Sequence, residues 1–302
     1  MLGAVGELND ILQDLESSLG PLDGGPTALD GGITNRNYRV SLGGEEYVVR
    51  RPGKDTDLLG IDRRAERLAT EAAAAIGLAP DVAAAVGDSL VTRFVACASV
   101  SAEEIGDAVE EIAAALRSFH DSGAHLPSAF DVVALLDRYA AIVTEGGGTP
   151  PEDFAAAGAW AARIRTALRG DPPCPCHNDL LAGNIIRAQA SGRMMLVDWE
   201  YAGMGDRRFD LGNLAVNNDF DDATEDRLLA AYYDSPPSDA RRAALKLMRV
   251  MSDIREAAWG VVQAEISELD FDFAGYGDEH FARMRQAVEG GAFEEWIAAA
   301  AA

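Results

Sequence analysis

Two acids and one amide near the middle of the chain constrain its fold more than any other feature. In His177-Asn178-Asp179-Leu180-Leu181-Ala182-Gly183-Asn184, Asn184 stands five residues after Asp179, and Asp198 follows fourteen residues later, after the apolar run Met194 to Val197. The set suits magnesium-assisted phosphoryl transfer. Asp179 accepts the proton of an attacking hydroxyl, while Asn184 and Asp198 hold a magnesium ion that bridges the phosphates of ATP. The stretch Arg193 to Val197 reads as a strand that delivers Asp198 rigidly at its tip. A polar loop without chemistry is the competing reading of the motif.

Around this unit the chain has two textures. Leu8, Ile11, Leu12, Leu15 and Leu19 recur at three- and four-residue steps and predict an amphipathic helix, which PLDGGPTALDGG breaks. From Asn37 the pattern alternates: NYRVSL, the pair Gly43-Gly44 and EEYVVR predict a hairpin, since two glycines take the positive φ of a two-residue turn. A helix from Ile61 to Ile76, closed by Gly77, follows, and then two short strands about Gly87-Asp88 between Asp81 and Val95. Beyond Ala96 the signal is helical. Ile105, Val109, Ile112, Leu116 and Phe119 form one stripe, and Asp131 to Val143 and Phe154 to Leu168 read the same way. GGGTPPED near Gly146 reads as a surface loop, and helices resume at about Leu211. The expected fold is α+β, with a small sheet-containing lobe over residues 1–96 and a larger, mainly helical lobe over residues 97–302.

Of the 302 residues, 48% are hydrophobic and 25% charged, the composition of a soluble folded chain. The formal net charge is −24, and Lys54 and Lys246 are the only lysines. Such a surface repels phosphate backbones and argues against nucleic acid as a partner. There is no long apolar span and no signal-peptide pattern, so the expected setting is the cytoplasm, away from membranes. Cys97, Cys174 and Cys176 form no disulfide framework. Cys174-Pro-Cys176-His177 is at most half a metal clip, and buried thiols are the favoured reading.

CHNDLLAGNII together with LVDWEYAGMGDRRFDLGN resembles the choline/ethanolamine kinase family, a branch of the aminoglycoside phosphotransferase-like group. The resemblance continues through GGITNRNYRV, YVVRRPG, IDRRAERLATEAAAAIGLAP and WGVVQAEISELDFDFAGYG, from about Asp30 to about Phe281. Trp199-Glu200-Tyr201 after Asp198 replaces the Phe-Gly of protein kinases and points to small-molecule kinases on the same scaffold. The resemblance implies a two-lobed, protein-kinase-like fold with ATP and Mg2+ as cofactors. Gly31, Gly32, Ile33, Thr34 and Asn35 would cover the nucleotide, glycines letting bare N–H groups approach phosphates; plain turn residues are the alternative. Arg50 stands where the family steadies the phosphates, in place of a lysine, and Arg51 is the neighbour that strand alternation sends to the other face. Glu66, rather than Glu71, would orient Arg50. Thr92, Arg93, Phe94 and Val95 resemble the hinge whose backbone pairs with adenine. His177 and Asp210 would support the catalytic loop, while His120 and His125 read as capping or packing residues.

For the acceptor, Trp259 matches one of the family's tryptophans around the quaternary ammonium of choline, with core packing as the alternative. The second tryptophan is missing, because Arg255-Glu256-Ala257-Ala258 stands there, and Asn217 stands near the acid expected after Asp-x-Gly-Asn. Glu256, Phe220, Tyr201 and Tyr276 are candidates for a charge or an aromatic wall. The expected reaction is transfer of the γ-phosphoryl group of ATP to a small, cationic alcohol such as choline or ethanolamine. An aminoglycoside or sugar is the rival acceptor. A nucleotide-binding pseudokinase acting as an interaction module is the rival of another class, opposed by the filled catalytic positions.

Overall fold

The computed structural model describes residues 2–29, 35–54 and 56–302. The first helix forms over Leu2–Leu19, and its stripe Leu8, Leu12 and Leu15 packs on Val40, Leu42, Tyr47, Val49 and Val91 of a sheet. That sheet has five antiparallel strands, β1 Thr27–Leu29, β2 Asn35–Leu42, β3 Glu45–Pro52, β4 Val82–Val86 and β5 Ser89–Arg93, in the order β1-β2-β3-β5-β4. Gly43 and Gly44, with φ of 60° and 82°, make the β2-β3 turn as the sequence predicts. The short edge strand β1 lies within the segment the sequence marks as a break. Three residues are too few to show an alternation, and pairing of Thr27–Leu29 with Asn37, Tyr38 and Arg39 makes the strand.

A helix over Arg63–Ala75 separates the two strand pairs. The Asp62 carboxylate caps it, accepting from the N–H groups of Arg64 and Ala65 at 2.9 and 3.0 Å, and so brings Glu66 into the first turn. After the sheet, the stripe from Ile105 to Phe119 forms two helices rather than one, Ala102–Asp107 and Val109–His120. Gly106, costly in a helix interior, stands beside the junction at Ala108. Helices Val132–Glu145, Glu152–Ala167, Arg207–Asn217, Asp222–Tyr233, Asp239–Ile266, Phe273–Glu289 and Phe293–Ala300 complete the mainly helical remainder. Asp206 caps the helix at Arg207, so helical structure resumes one turn before Leu211.

The 28-residue helix Asp239–Ile266 runs through the core formed by Tyr139, Phe154, Ile164, Ile254 and Phe281. It crosses Phe273–Glu289 where Gly260 meets Gly277. A methyl group at Gly260 would lie 2.8 Å from the Gly277 nitrogen and 2.9 Å from the Phe273 carbonyl oxygen, so the two backbones touch there. Among the helices sit two small antiparallel sheets. One pairs Cys174–Cys176 with Gly203–Gly205, and the other joins Cys97–Ser99, Ile185–Ala188 and Met194–Leu196. They clamp both ends of the segment from His177 to Asn184 and end one strand just before Asp198. Among the described residues no helix is long and apolar enough to cross a membrane.

Candidate active site

A cleft of about 620 Å³ runs from Thr92, Arg93, Phe94 and Val95, past Arg50, Asp179, Asn184 and Asp198, to Tyr201, Glu256, Trp259 and Tyr276. One continuous space thus joins the predicted hinge, catalytic group and acceptor end. Gly31, Gly32, Ile33 and Thr34 lie outside the described residues; Asn35 is buried and donates to Glu200 Oε2 at 2.8 Å.

Asp179 is 7% exposed, and both of its carboxylate oxygens face donors. Asn184 Nδ2 donates to the Asp179 carbonyl at 2.8 Å and to Oδ2 at 2.9 Å, while Arg255 Nη1 donates to Oδ1 at 3.4 Å. With its nitrogen so committed, the Asn184 amide turns its Oδ1 away from Asp179. Burial pushes the Asp179 carboxyl up to about 8; Arg255 opposes the rise, and Glu256, Asp198 and Glu200 add to it. That is the condition of a carboxylate suited to take a proton near neutral pH.

The loop that carries Asp179 is held from behind. Asp210 is fully buried and accepts from the N–H groups of His177 and Asn178 at 2.8 and 2.7 Å and from His120 Nε2 at 2.9 Å. Burial penalises its charge, yet these donors hold its pKa below the ordinary value. His177 Nδ1 accepts from the Asp179 N–H at 3.2 Å, and Nε2 donates to the Val197 carbonyl at 3.0 Å. Both ring nitrogens are spent and burial depresses its pKa, so His177 is a neutral brace and not the base. His120 is likewise structural, bridging Asp210 and the Tyr232 hydroxyl. His120, Cys176 and Asp210 lie close enough to share a metal, but three N–H groups already occupy the Asp210 oxygens. Cys174 and Cys176 are buried as expected, whereas Cys97 is exposed. Asn178 and Asp198 both have left-handed backbones, with φ of 67° and 64°; the Asn178 amide tolerates this by donating to the Tyr201 carbonyl at 3.0 Å.

Arg50 pairs with Asp198, with Glu66 Oε1 at 3.3 Å and with Glu200 Oε2 at 3.7 Å. Burial disfavours its charge, but Asp198, Glu66 and Glu200 more than offset this and raise its pKa. Arg51 does not line the cleft, and Glu71 is half exposed on the helix surface beside Arg67. Two residues of this cluster escaped the sequence reading. Glu200 is buried among Asn35, Arg50 and Arg63, and Arg63 donates to Glu66 Oε2 at 2.7 Å, Thr56 Oγ1 at 3.0 Å and Asn35 Oδ1 at 3.2 Å. A signal existed for Arg63, since a cation in the first turn of a helix opposes the helix dipole and calls for another reason to be there.

At the acceptor end Trp259 Nε1 donates to the Tyr201 hydroxyl at 2.8 Å, and its ring meets that of Tyr276 edge-on at 5.6 Å. Glu256 is 2% exposed and accepts from Arg255 Nη1 at 2.7 Å and from the Tyr276 hydroxyl at 2.9 Å. Asn217 and Phe220 are not brought here. Asn217 ends its helix two turns beyond Asp210, ~10 Å along the axis, and Phe220 packs with Ile105 and Leu228 in the other core. Asn213 and Asn218 serve that segment instead, holding the N–H and carbonyl of Leu180. Five acids, Glu66, Asp179, Asp198, Glu200 and Glu256, face three arginines, Arg50, Arg63 and Arg255.

Residues 26–245 match the phosphotransferase enzyme family. The chain is 24% identical over 307 aligned positions to a probable ethanolamine kinase of Arabidopsis thaliana, covering 88% of this chain and 81% of that protein. A choline/ethanolamine kinase family protein from Mesorhizobium loti superposes with a TM-score of 0.79 at 29% identity, over 96% of this chain and 98% of that one. The choline kinase LicA from Streptococcus pneumoniae shares the fold, with a TM-score of 0.79 at 24% identity over 94% of this chain and 99% of that one. The motif, the kinase-like architecture and these similarities agree: the chain belongs to the phosphotransferase enzyme family, and within it is similar to choline and ethanolamine kinases.

Proposed function

We propose that the protein transfers the γ-phosphoryl group of ATP to the hydroxyl of a small amino alcohol such as ethanolamine or choline. The observation that carries this reading is a single cleft in which Asp179 lies between a phosphate-facing cluster, Arg50 and Asp198, and an acceptor end built from Glu256, Tyr201, Trp259 and Tyr276. In this reading the adenine lies against Thr92, Arg93, Phe94 and Val95, and the loop from Gly31 to Asn35 covers the phosphates. Arg50, oriented by Glu66, steadies those phosphates. Asp179 aligns the acceptor hydroxyl and takes its proton at a carboxylate oxygen as the oxygen attacks.

Asn184 Oδ1 and the Asp198 carboxylate are hard oxygen donors on one wall of the cleft, the chemistry that suits magnesium. Held by these two residues, magnesium would supply positive charge to offset the negative charge that grows on the transferred phosphoryl group. The division of labour separates the lobes after Ala96, and free thiols throughout the chain fit a cytoplasmic setting.

Glu256 and the three rings supply charge and walls for an ammonium. With one tryptophan and a carboxylate, the site favours a primary ammonium, which can donate hydrogen bonds, over a quaternary one. ADP release measured against amino alcohols, aminoglycosides and sugars tests the reading, followed by competition between ethanolamine and choline at fixed ATP. Turnover of sugars or aminoglycosides alone would refute the acceptor class, and strong selectivity for choline would refute the account of the pocket.

A further inference from the structure

Arg255 is a buried cation, 2% exposed, on the helix Asp239–Ile266, and it lines the cleft between the base and the acceptor end. A single nitrogen, Nη1, serves two carboxylates: Glu256 Oε1 at 2.7 Å and Asp179 Oδ1 at 3.4 Å. Its Nε and Nη2 are buried without a hydrogen-bond partner, and the face of Tyr201 lies 4.2 Å from Cζ. A guanidinium anchored by its two-pronged edge is locked in place. One held through a single nitrogen against a ring face moves toward whichever acid carries the less compensated charge. Here Glu256 has the short bond and Asp179 the long one.

Given an acceptor that carries an ammonium, as proposed above, we propose that Arg255 is a positioning residue that ties recognition of that ammonium at Glu256 to alignment of the base Asp179. Without acceptor, Glu256 draws Arg255 away from Asp179. An ammonium beside Glu256 takes over its charge, and Arg255 closes on Asp179 Oδ1. The base is then held at both oxygens, Oδ2 by Asn184 and Oδ1 by Arg255. A neutral alcohol enters the same cleft and meets a base held firmly at one oxygen only. Acceptors are therefore distinguished in kcat as well as in KM.

The test compares ethanolamine with 1-propanol, a neutral alcohol of similar size, at saturating ATP, in the wild type and in Arg255→Met, Arg255→Lys and Glu256→Gln, with kcat and KM read separately. The wild type is expected to show a kcat for ethanolamine about tenfold or more above that for propanol, the size of a modest coupling between two sites. That ratio falls toward one in Arg255→Met and Glu256→Gln, and Arg255→Lys keeps part of it. A side chain needed only for folding would lower both rates alike and leave the ratio unchanged. A wild-type ratio near one, an unchanged ratio in the folded variants, or an effect confined to KM overturns the proposal. Should Arg255→Met fail to fold, Glu256→Gln and Arg255→Lys still decide. Wild-type enzyme that turns over no amino alcohol refutes the proposed function itself, a different result from turnover with an unaltered ratio.

Discussion

Replacing Asp210 by asparagine puts the support of the catalytic loop to the test. Its carboxylate accepts three N–H groups, from His177, Asn178 and His120 at 2.8, 2.7 and 2.9 Å, with no exposure to solvent. Stranding all three, as alanine would, costs about 1–3 kcal/mol for each donor. The total rivals the whole stability of an ordinary domain, about 5–15 kcal/mol. Asparagine keeps the shape and one acceptor oxygen, turns the other into a donor facing an N–H, and removes the charge. A loss of about 3 kcal/mol is expected, from one stranded donor and two weakened hydrogen bonds. Urea denaturation should show a lower midpoint with an unchanged slope. The pH dependence has a definite sign. The folded pKa of Asp210 is held below its ordinary 3.8, so its contribution is complete above that value and fades as pH falls through the folded pKa. The stability gap between wild type and Asp210→Asn should therefore narrow below pH 3.8. Turnover should fall by about tenfold or more as Asp179 loses its backing. Equal urea midpoints at neutral pH together with wild-type turnover would refute this account of the loop.

Asp179→Asn keeps the shape of the base but not its basicity, and should lower turnover about a hundredfold or more while ATP affinity stays near that of the parent. In the parent, Asp179 must lose a proton to act, and burial pushes its carboxyl up to about 8, so kcat/KM should climb with pH to a midpoint near that value; a flat profile from pH 6 to 9, on the order of a ten- to hundredfold span in proton-acceptor population, would contradict the assignment. Asn184→Ala and Asp198→Ala should each weaken nucleotide binding in magnesium far more than in EDTA, and a parental response to magnesium would place the ligands elsewhere. Trp259→Ala removes a ring beside Glu256 and the hydrogen bond to Tyr201, and should raise the acceptor KM by the equivalent of about 1–2 kcal/mol, with the KM for ATP unmoved.

What could be read from the sequence depended on how far each residue's partner lies along the chain. The hairpin at Gly43-Gly44 and the helix closed by Gly77 are local signals, and the structure forms both, the helix starting at Arg63 rather than Ile61 because Asp62 caps it; the acid–amide–acid spacing is a local signal too. Strand alternation says only that one of Arg50 and Arg51 reaches the cleft; the family resemblance selects Arg50, and Glu66 over Glu71, and in the structure Arg50 pairs with Glu66. Glu200 gains its meaning only when Asn35, Arg50 and Arg63 arrive from other segments, whereas Arg63 pairs locally with Glu66 three residues on, and its cation in the first turn of a helix is the signal the sequence offers for it. Arg255 is visible only within the stretch Arg255-Glu256-Ala257-Ala258 that stands where a second tryptophan is expected, and its partner Asp179 is brought to it by tertiary folding. Asn217 rests on its distance past Asp210 and Phe220 on its residue type alone, and the helix carries the chain out of the cleft before either is reached.

The contact between Gly260 and Gly277 works like the jaw setting of a pair of calipers. Glu256 and Trp259 ride one helix and Tyr276 the other, so the spacing of these side chains follows from how closely the two bare backbones meet. A single methyl at Gly260 pries the jaws apart in a closely packed interior that has little slack to absorb it. Tolerance for bulkier cations can thus be gained or lost over generations through positions that touch neither nucleotide nor acceptor, while the machinery for handling phosphate stays as it was.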